Sequence, residues 1–390
     1  VQKVAEVAAV AATSRLIVLL AFCAATAQAA VLPQERADAM FHSYDGGGIT
    51  VDGPSLLVRK NFKETLSVSG NYYVDNISSA SIDVLASGAS RYSEERTEYS
   101  VGANYLYNKS ILSAGYTNSD ESDYQAETFY FGISQDFFGD LTNITFGYAL
   151  GDDEVFQNGN DEFAEEITRN TFRTAVSQIV TPNLIMALNY ELITDEGFLN
   201  NPYRSYRFLT DPLDPGAGFQ LAQEVYPDTR TSDAINIRYM YHLPWQASTG
   251  GSYRYFTDDW GIDAHTVQFS YTHVVYENWT AEFKYRYYQQ TGADFYSDLF
   301  QVPSQDEKDY RARDKELSDL DNHTVSLNLS YERPVNIQWI DKAAVSFQWD
   351  RIFFSYDNFT DLTNPNTVVG EEELYDFEAD VFKLFFTIWY

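Results

Sequence analysis

Val381-Phe382-Lys383-Leu384-Phe385-Phe386-Thr387-Ile388-Trp389-Tyr390 decides how the rest of this chain reads. Phe382, Leu384, Phe386, Ile388 and Tyr390 fall on one side of an extended backbone, and Lys383, Phe385, Thr387 and Trp389 on the other. Period-two alternation is the mark of a strand with one apolar face. The same period returns upstream in Val325/Leu327/Leu329/Tyr331, Ile235/Ile237/Tyr239/Tyr241, Val267/Phe269/Tyr271 and Leu184/Met186/Leu188/Tyr190. Fourteen such segments are read, near residues 62–74, 96–107, 109–118, 124–137, 141–150, 170–180, 182–193, 231–242, 246–257, 262–275, 278–290, 322–332, 342–355 and 381–390. Segments 49–60 and 202–209 leave room for two more strands.

The connections sort into two kinds. Tight ones, such as Asn108, Val180-Thr181-Pro182-Asn183 and Leu243-Pro244-Trp245, alternate with long ones at 75–95, 151–169, 194–230, 291–321 and 356–380. Short turns at one end and long loops at the other predict a transmembrane antiparallel β-barrel of about 14 strands, within 12–16, with periplasmic turns and extracellular loops. A soluble sandwich also alternates, but it has no reason to place Tyr, Phe and Trp at nearly every strand end. A barrel needs aromatic girdles there. The aromatic last strand resembles the assembly signal of bacterial outer-membrane barrels, with Phe386, Ile388 and Tyr390 as its expected residues.

Composition narrows the class further. The 390 residues carry 57 acids against 26 bases, for a formal charge of −31, which excludes a basic nucleic-acid-binding face. With 30 Tyr, 27 Phe and 6 Trp the chain is too aromatic for an acidic disordered polymer. Only Leu16–Ala30 is long, apolar and uncharged, too short for a helical span. Arg15, the apolar run after it and Ala27-Gln28-Ala29 read as a secretory signal over residues 1–29. The sole cysteine, Cys23, lies inside that leader, so disulfides, thiolate metal sites and thiol catalysis are not expected of the exported chain. Residues 30–61 read as a turn-rich periplasmic segment ahead of a barrel over 62–390, with Gly46-Gly47-Gly48 as a plain bend and a polar plug of His42, Tyr44 and Asp45 at the barrel floor as the alternative.

Chemical candidates are few. The triple glycine lacks the Gly-Lys-Ser/Thr ending and following helix of a phosphate loop and reads as a bend. Asp152, Asp153, Glu154 and Asp161 are weak calcium candidates, hard-oxygen ligands without the one-three-five spacing of a calcium loop. Neither a His-Glu-x-x-His nor a Gly-x-Ser-x-Gly word occurs, so no enzyme and no cofactor are expected, with a barrel-embedded hydrolase as a distant alternative. Alternation sends Arg173, Glu191, Arg238, Arg254, Glu282, Lys284, Arg286 and Asp350 into the lumen, since a charged side chain facing lipid costs about 2–4 kcal/mol near the midplane. Two readings of that set stay open: a basic wall selecting anions, or a salt-bridged interior.

Tyr44-Asp45-Gly46-Gly47-Gly48, Val51-Asp52-Gly53-Pro54-Ser55, Leu57-Val58-Arg59-Lys60, Gly70-Asn71-Tyr72-Tyr73-Val74-Asp75 and Tyr92-Ser93-Glu94-Glu95-Arg96 carry a family likeness. The mature chain resembles a Gram-negative outer-membrane barrel family catalogued as domain of unknown function 3570. That resemblance implies an outer-membrane barrel with no agreed activity. It also implies an exported redox partner or lipoprotein at the cell envelope. The functional expectation is a channel or docking pore for a polar or charged solute or partner, with a structural sheath for a redox partner as the alternative. The expected partners are outer-membrane lipid and the barrel assembly machinery, with no nucleic acid.

Overall fold

The computed structural model describes residues 31–79, 92–306, 308–363 and 367–390, so the predicted leader lies outside the described residues. Sixteen strands close into one antiparallel barrel. They are β1 (Arg36–Gly46), β2 (Ile49–Phe62), β3 (Leu66–Ser79), β4 (Tyr92–Tyr107), β5 (Ser110–Asp120), β6 (Tyr124–Phe137), β7 (Thr142–Gln157), β8 (Asn160–Thr181), β9 (Leu184–Gly197), β12 (Thr229–Leu243), β13 (Ala247–Asp258), β14 (Asp263–Tyr276), β15 (Trp279–Gln290), β16 (Leu320–Ile337), β17 (Ile340–Thr360) and β18 (Leu374–Trp389). A separate two-stranded sheet pairs β10 (Ser205–Leu209) with β11 (Phe219–Gln223). Closure satisfies the edge groups that hydrocarbon cannot hydrogen-bond.

All fourteen segments read from the sequence are wall strands. The expected periplasmic segment 30–61 is corrected: it supplies β1 and β2, which raise the count to sixteen. The reason lies at the seam. β18 needs a partner, and β1 provides it in continuous register from Arg36↔Trp389 to Gly46↔Ala379. β1 shows little apolar alternation because its lipid-facing positions begin with Ala37 and Ala39, opposite Ile388 and Phe386. β2 was obscured by Gly53-Pro54. Gly53 is required there, since a Cβ at that position would lie 1.8 Å from the Val74 carbonyl oxygen.

The triple glycine is the β1–β2 hairpin, with Gly47 and Gly48 at φ of 60° and 79°, the left-handed pair that a tight two-residue turn demands. It sits at the loop end of the wall. His42 and Tyr44 therefore belong to the upper lumen and not to a plug at the floor, while Asp45 falls on the opposite face of β1. Segment 202–209, the other source of extra strands, contributes β10 outside the wall.

The outer surface is apolar between two aromatic belts. Phe41, Leu56, Val101, Phe131, Phe146, Leu188, Ile237, Phe269, Leu327, Phe347 and Phe386 are exposed on it. Phe138, Trp245, Tyr276 and Trp339 mark the turn end. At the loop end outward tyrosines meet polar partners that stand in the headgroup zone. Tyr116 donates to Glu127 at 2.9 Å, Tyr255 to Asp263 at 2.6 Å, and Tyr190 to Asp233. Tyr253 and Tyr285 pair with the Nδ1 atoms of His265 and His323 at 2.8 and 2.6 Å. An apolar ring exposed all round a closed barrel, with aromatics at both rims, belongs in lipid, and the protein is an outer-membrane barrel.

Candidate functional site

In register, every lumen candidate lies on the face opposite the lipid-facing residues. Arg173 pairs in register with Glu191, Asn236 with Arg254, Gln268 with Arg286, and Ser326 with both Lys284 and Asp350. Side-chain contacts then divide the set. Glu191 takes Arg173 and lies 3.6 Å from Arg254, and Lys284 lies 2.9 Å from Glu282. Asp350 accepts from Gln348 at 2.9 and 3.0 Å. Arg254 and Arg286 lie over the rings of Phe256 and Tyr288 at 5.3 and 5.4 Å, contacts that hold a guanidinium without neutralising it. Arg238 stands between Ala187 and Ser252 in register. The interior is thus salt-bridged along β8, β9, β13 and β15, and the guanidinium groups of Arg238, Arg254 and Arg286 share one wall. Lys383, which the sequence reading left out of the set, joins the same face opposite Gln348 and His42.

Above this wall the long connections fold into a cap, which sequence reasoning missed. Three stretches of described residues build it: 198–228 with β10 and β11, 291–306 with 308–319, and 361–363 with 367–373 after β17. Isolated bridges Phe208↔Phe300 and Val225↔Arg311 join the first two. Arg207 is fully buried and sits at their junction with the third. Its guanidinium donates to the Asp298 carbonyl at 2.8 Å, to the Asp298 carboxylate, to Glu372 Oε1 at 2.5 Å and to Thr360 Oγ1 at 3.0 Å. Arg313 donates to Asp298 Oδ1 at 3.0 Å and to the Thr360 carbonyl at 2.8 Å, with its guanidinium 4.3 Å from the Phe359 ring centre. Burial works against ionisation of Asp298, but Arg313 and Arg207 prevail and hold its carboxyl below the usual range.

Glu224 has the opposite balance. It is 1% exposed, accepts from the Arg313 amide at 2.6 Å and from the Tyr226 hydroxyl at 2.6 Å, and faces Asp314. Burial, followed by repulsion from Asp314, pushes its carboxyl up to about 7, with Arg204 opposing. Burial and the same two carboxylates push the Tyr226 hydroxyl upward.

The cap spans the mouth. From its root between β9 and β12 it reaches one way to Asp123, where the Tyr203 hydroxyl donates at 2.7 Å, and to Gln157, whose amide donates to the Pro202 carbonyl at 3.1 Å. It reaches the other way to Thr360 and Glu372 on β17 and its connection. These anchors stand far apart around the sixteen-strand ring. At the turn end the connections between wall strands are only a few residues long and, among the described residues, add no comparable cover.

Acidic side chains gather beneath the cap on the β3–β5 side. Glu94, Glu121 and Asp123 are buried, each with an oxygen within 4.8 Å of the others. Arg96 lies 3.3 Å from Asp75, 3.6 Å from Glu98 and 3.9 Å from Glu121. His42 contacts Asp75 at 2.8 Å and the Tyr73 hydroxyl at 3.1 Å. The calcium candidates Asp152, Asp153, Glu154 and Asp161 do not converge. Asp153 faces inward and accepts from Tyr124, whereas Asp152 and Glu154, its neighbours on β7, point to the opposite face. Alternation on an extended strand separates them.

The family model described as "Protein of unknown function (DUF3570)" matches residues 84–341, well over half of the sequence. The chain belongs to that family. Of the stretches on which the likeness was read, 92–96 falls within the matched span, and those between 44 and 75 precede it. No curated relative matches. Among solved structures, the chain is similar to a bacterial polysaccharide outer membrane secretin (10% identity, TM-score 0.48, 92% of this chain and 100% of that one). It is also similar to OmpT, an outer membrane protein of Vibrio cholerae (11%, 0.40, 92% and 100%), and to a Pseudomonas aeruginosa FadL homologue (11%, 0.41, 92% and 90%).

Proposed function

We propose that the barrel passes or docks a polar or charged solute, with the guanidinium wall of Arg238, Arg254 and Arg286 favouring anionic groups. The carrying observation is the pattern of that wall. Arg254 and Arg286 are held on aromatic rings, and Arg254 shares the single carboxylate of Glu191 with Arg173; a fixed positive field in a water-filled lumen concentrates anions. In planar bilayers the purified protein should give stepwise conductance with anion preference. The Arg254→Glu/Arg286→Glu pair should move the reversal potential toward cation preference. Absence of steps at any voltage or pH counts against a pore.

A second reading has an observation of its own. The cap covers the outer mouth while the periplasmic end keeps short turns, an arrangement suited to a partner that docks from the periplasm, such as an exported redox protein or lipoprotein. Crosslinking in intact cells from turn residues such as Asn108 or Trp245 would capture such a partner, and an empty crosslink lane would count against it.

A further inference from the structure

We propose that the rim of the wall at β4 and the β5–β6 connection binds a calcium ion through Glu94, Glu121 and Asp123. Glu94 enters the lumen side from β4 in register with Ile77, and Glu121 and Asp123 bracket the turn after β5. One oxygen of each lies within 4.8 Å of the others, and all three side chains are at least nine-tenths buried.

Glu94 supplies the independent indication. Its Oε1 accepts from the Ser122 amide at 3.3 Å and from the Ser122 hydroxyl, whereas its Oε2 is shut off from solvent with no hydrogen-bond partner. A carboxylate oxygen left in that state costs the desolvation of a charged group, and a cation is what relieves it.

Ligand chemistry selects the ion. Three carboxylates without thiolate or imidazole form a hard-oxygen set. Magnesium keeps several of its waters and takes one or two carboxylates, whereas calcium accepts clustered carboxylates at about 2.3–2.6 Å in flexible geometry, so three carboxylates gathered at one place favour calcium. Asp123 accepts through its Oδ2 from Tyr203 of the cap at 2.7 Å and from Asn158 at 2.9 Å, so an ion at this place ties the wall to the cap.

The test uses the full barrel in detergent and terbium as the probe, excited through tyrosine. Sensitised emission should appear, be displaced by calcium in preference to magnesium, and weaken by roughly 10–100-fold in apparent affinity in Glu94→Gln and in Glu121→Gln. The outward Asp152→Asn variant should leave it unchanged. Heat-modifiable gel migration confirms that each variant is folded, and if one variant fails to fold the other reads the same site. Emission that calcium does not displace, or that survives in folded Glu94→Gln, overturns the proposal. So does a barrel whose melting responds to pH but not to calcium, because protonation of a carboxyl would then account for the cluster.

Discussion

Replacing Arg207 with alanine should release the cap without unfolding the barrel. The side chain is fully buried and is held by Asp298, Glu372 and Thr360, residues from two different connections and the end of β17. After truncation Asp298 keeps Arg313, but Glu372 loses the guanidinium that holds its carboxyl below the usual range against burial. Removing one partner of a buried ion pair costs about 3–5 kcal/mol, largely because the other charge stays buried. At about 1.4 kcal/mol per factor of ten, the open cap should gain roughly two to three and a half orders of magnitude in population. Hydrogen exchange reads this directly. The amides of Leu209 and Phe300, which bond to the Phe300 and Arg207 carbonyls across the junction, should exchange faster by that factor, while wall amides such as those of β14 keep their protection. Arg207→Lys should recover only part of it, since an ammonium cannot reproduce the bidentate fork on Glu372. Unchanged protection at Leu209 and Phe300 in Arg207→Ala would refute the assignment of this arginine as the clasp of the cap.

Cap closure should also depend on pH through Glu224. Its carboxyl titrates near 7 in the closed cap against an ordinary value of 4.5, so the closed form takes up a proton between those limits. The stabilisation is complete below about 4.5 and is lost as pH rises through about 7, a swing on the order of 3 kcal/mol. Glu224→Gln should flatten the pH profile of exchange in residues 198–228, and a profile identical to the native one would exclude Glu224 as its source. In β12, Ile237→Arg should cost about 2–4 kcal/mol of folding free energy in lipid, whereas Asn236→Arg one residue away should be near neutral, as read by urea titration of vesicle-inserted protein. Gly53→Val should block assembly, because its Cβ would meet the Val74 carbonyl at 1.8 Å, whereas the same change at Gly70, where the nearest atom is 4.0 Å away, should fold and become heat-modifiable.

What was legible in the sequence follows from the physics of each part. Wall strands declare themselves because lipid on one side and water on the other impose a two-residue period, and the fourteen segments that show it are all in the barrel. β1 was hidden because Ala37 and Ala39 give a faint apolar face, and β2 was read in segment 49–60 only as an optional strand because Gly53-Pro54 resembles a break. β8 and β17 run well past the segments 170–180 and 342–355, since above the membrane both faces meet water and alternation fades. The inward set from Arg173 to Asp350 was readable from parity alone. The cap was not. Arg207 and Glu372 are 165 residues apart, and nothing local in Ser205-Tyr206-Arg207-Phe208-Leu209 announces a buried arginine. The acidic cluster was missed for a similar reason: Glu94 meets Glu121 and Asp123 only through strand pairing, while the more conspicuous run Asp152-Asp153-Glu154 is split between two faces.

Site-directed spin labels along β16 address the central assignment most directly. With cysteines placed singly from Val325 to Ser330 in lipid-reconstituted protein, Val325, Leu327 and Leu329 should be reached by dissolved oxygen, and Ser326, Asn328 and Ser330 by a water-soluble nickel complex, with strict alternation. Equal access on both faces, or the inverse phase, would contradict a barrel whose apolar side meets lipid and whose charged side encloses the lumen.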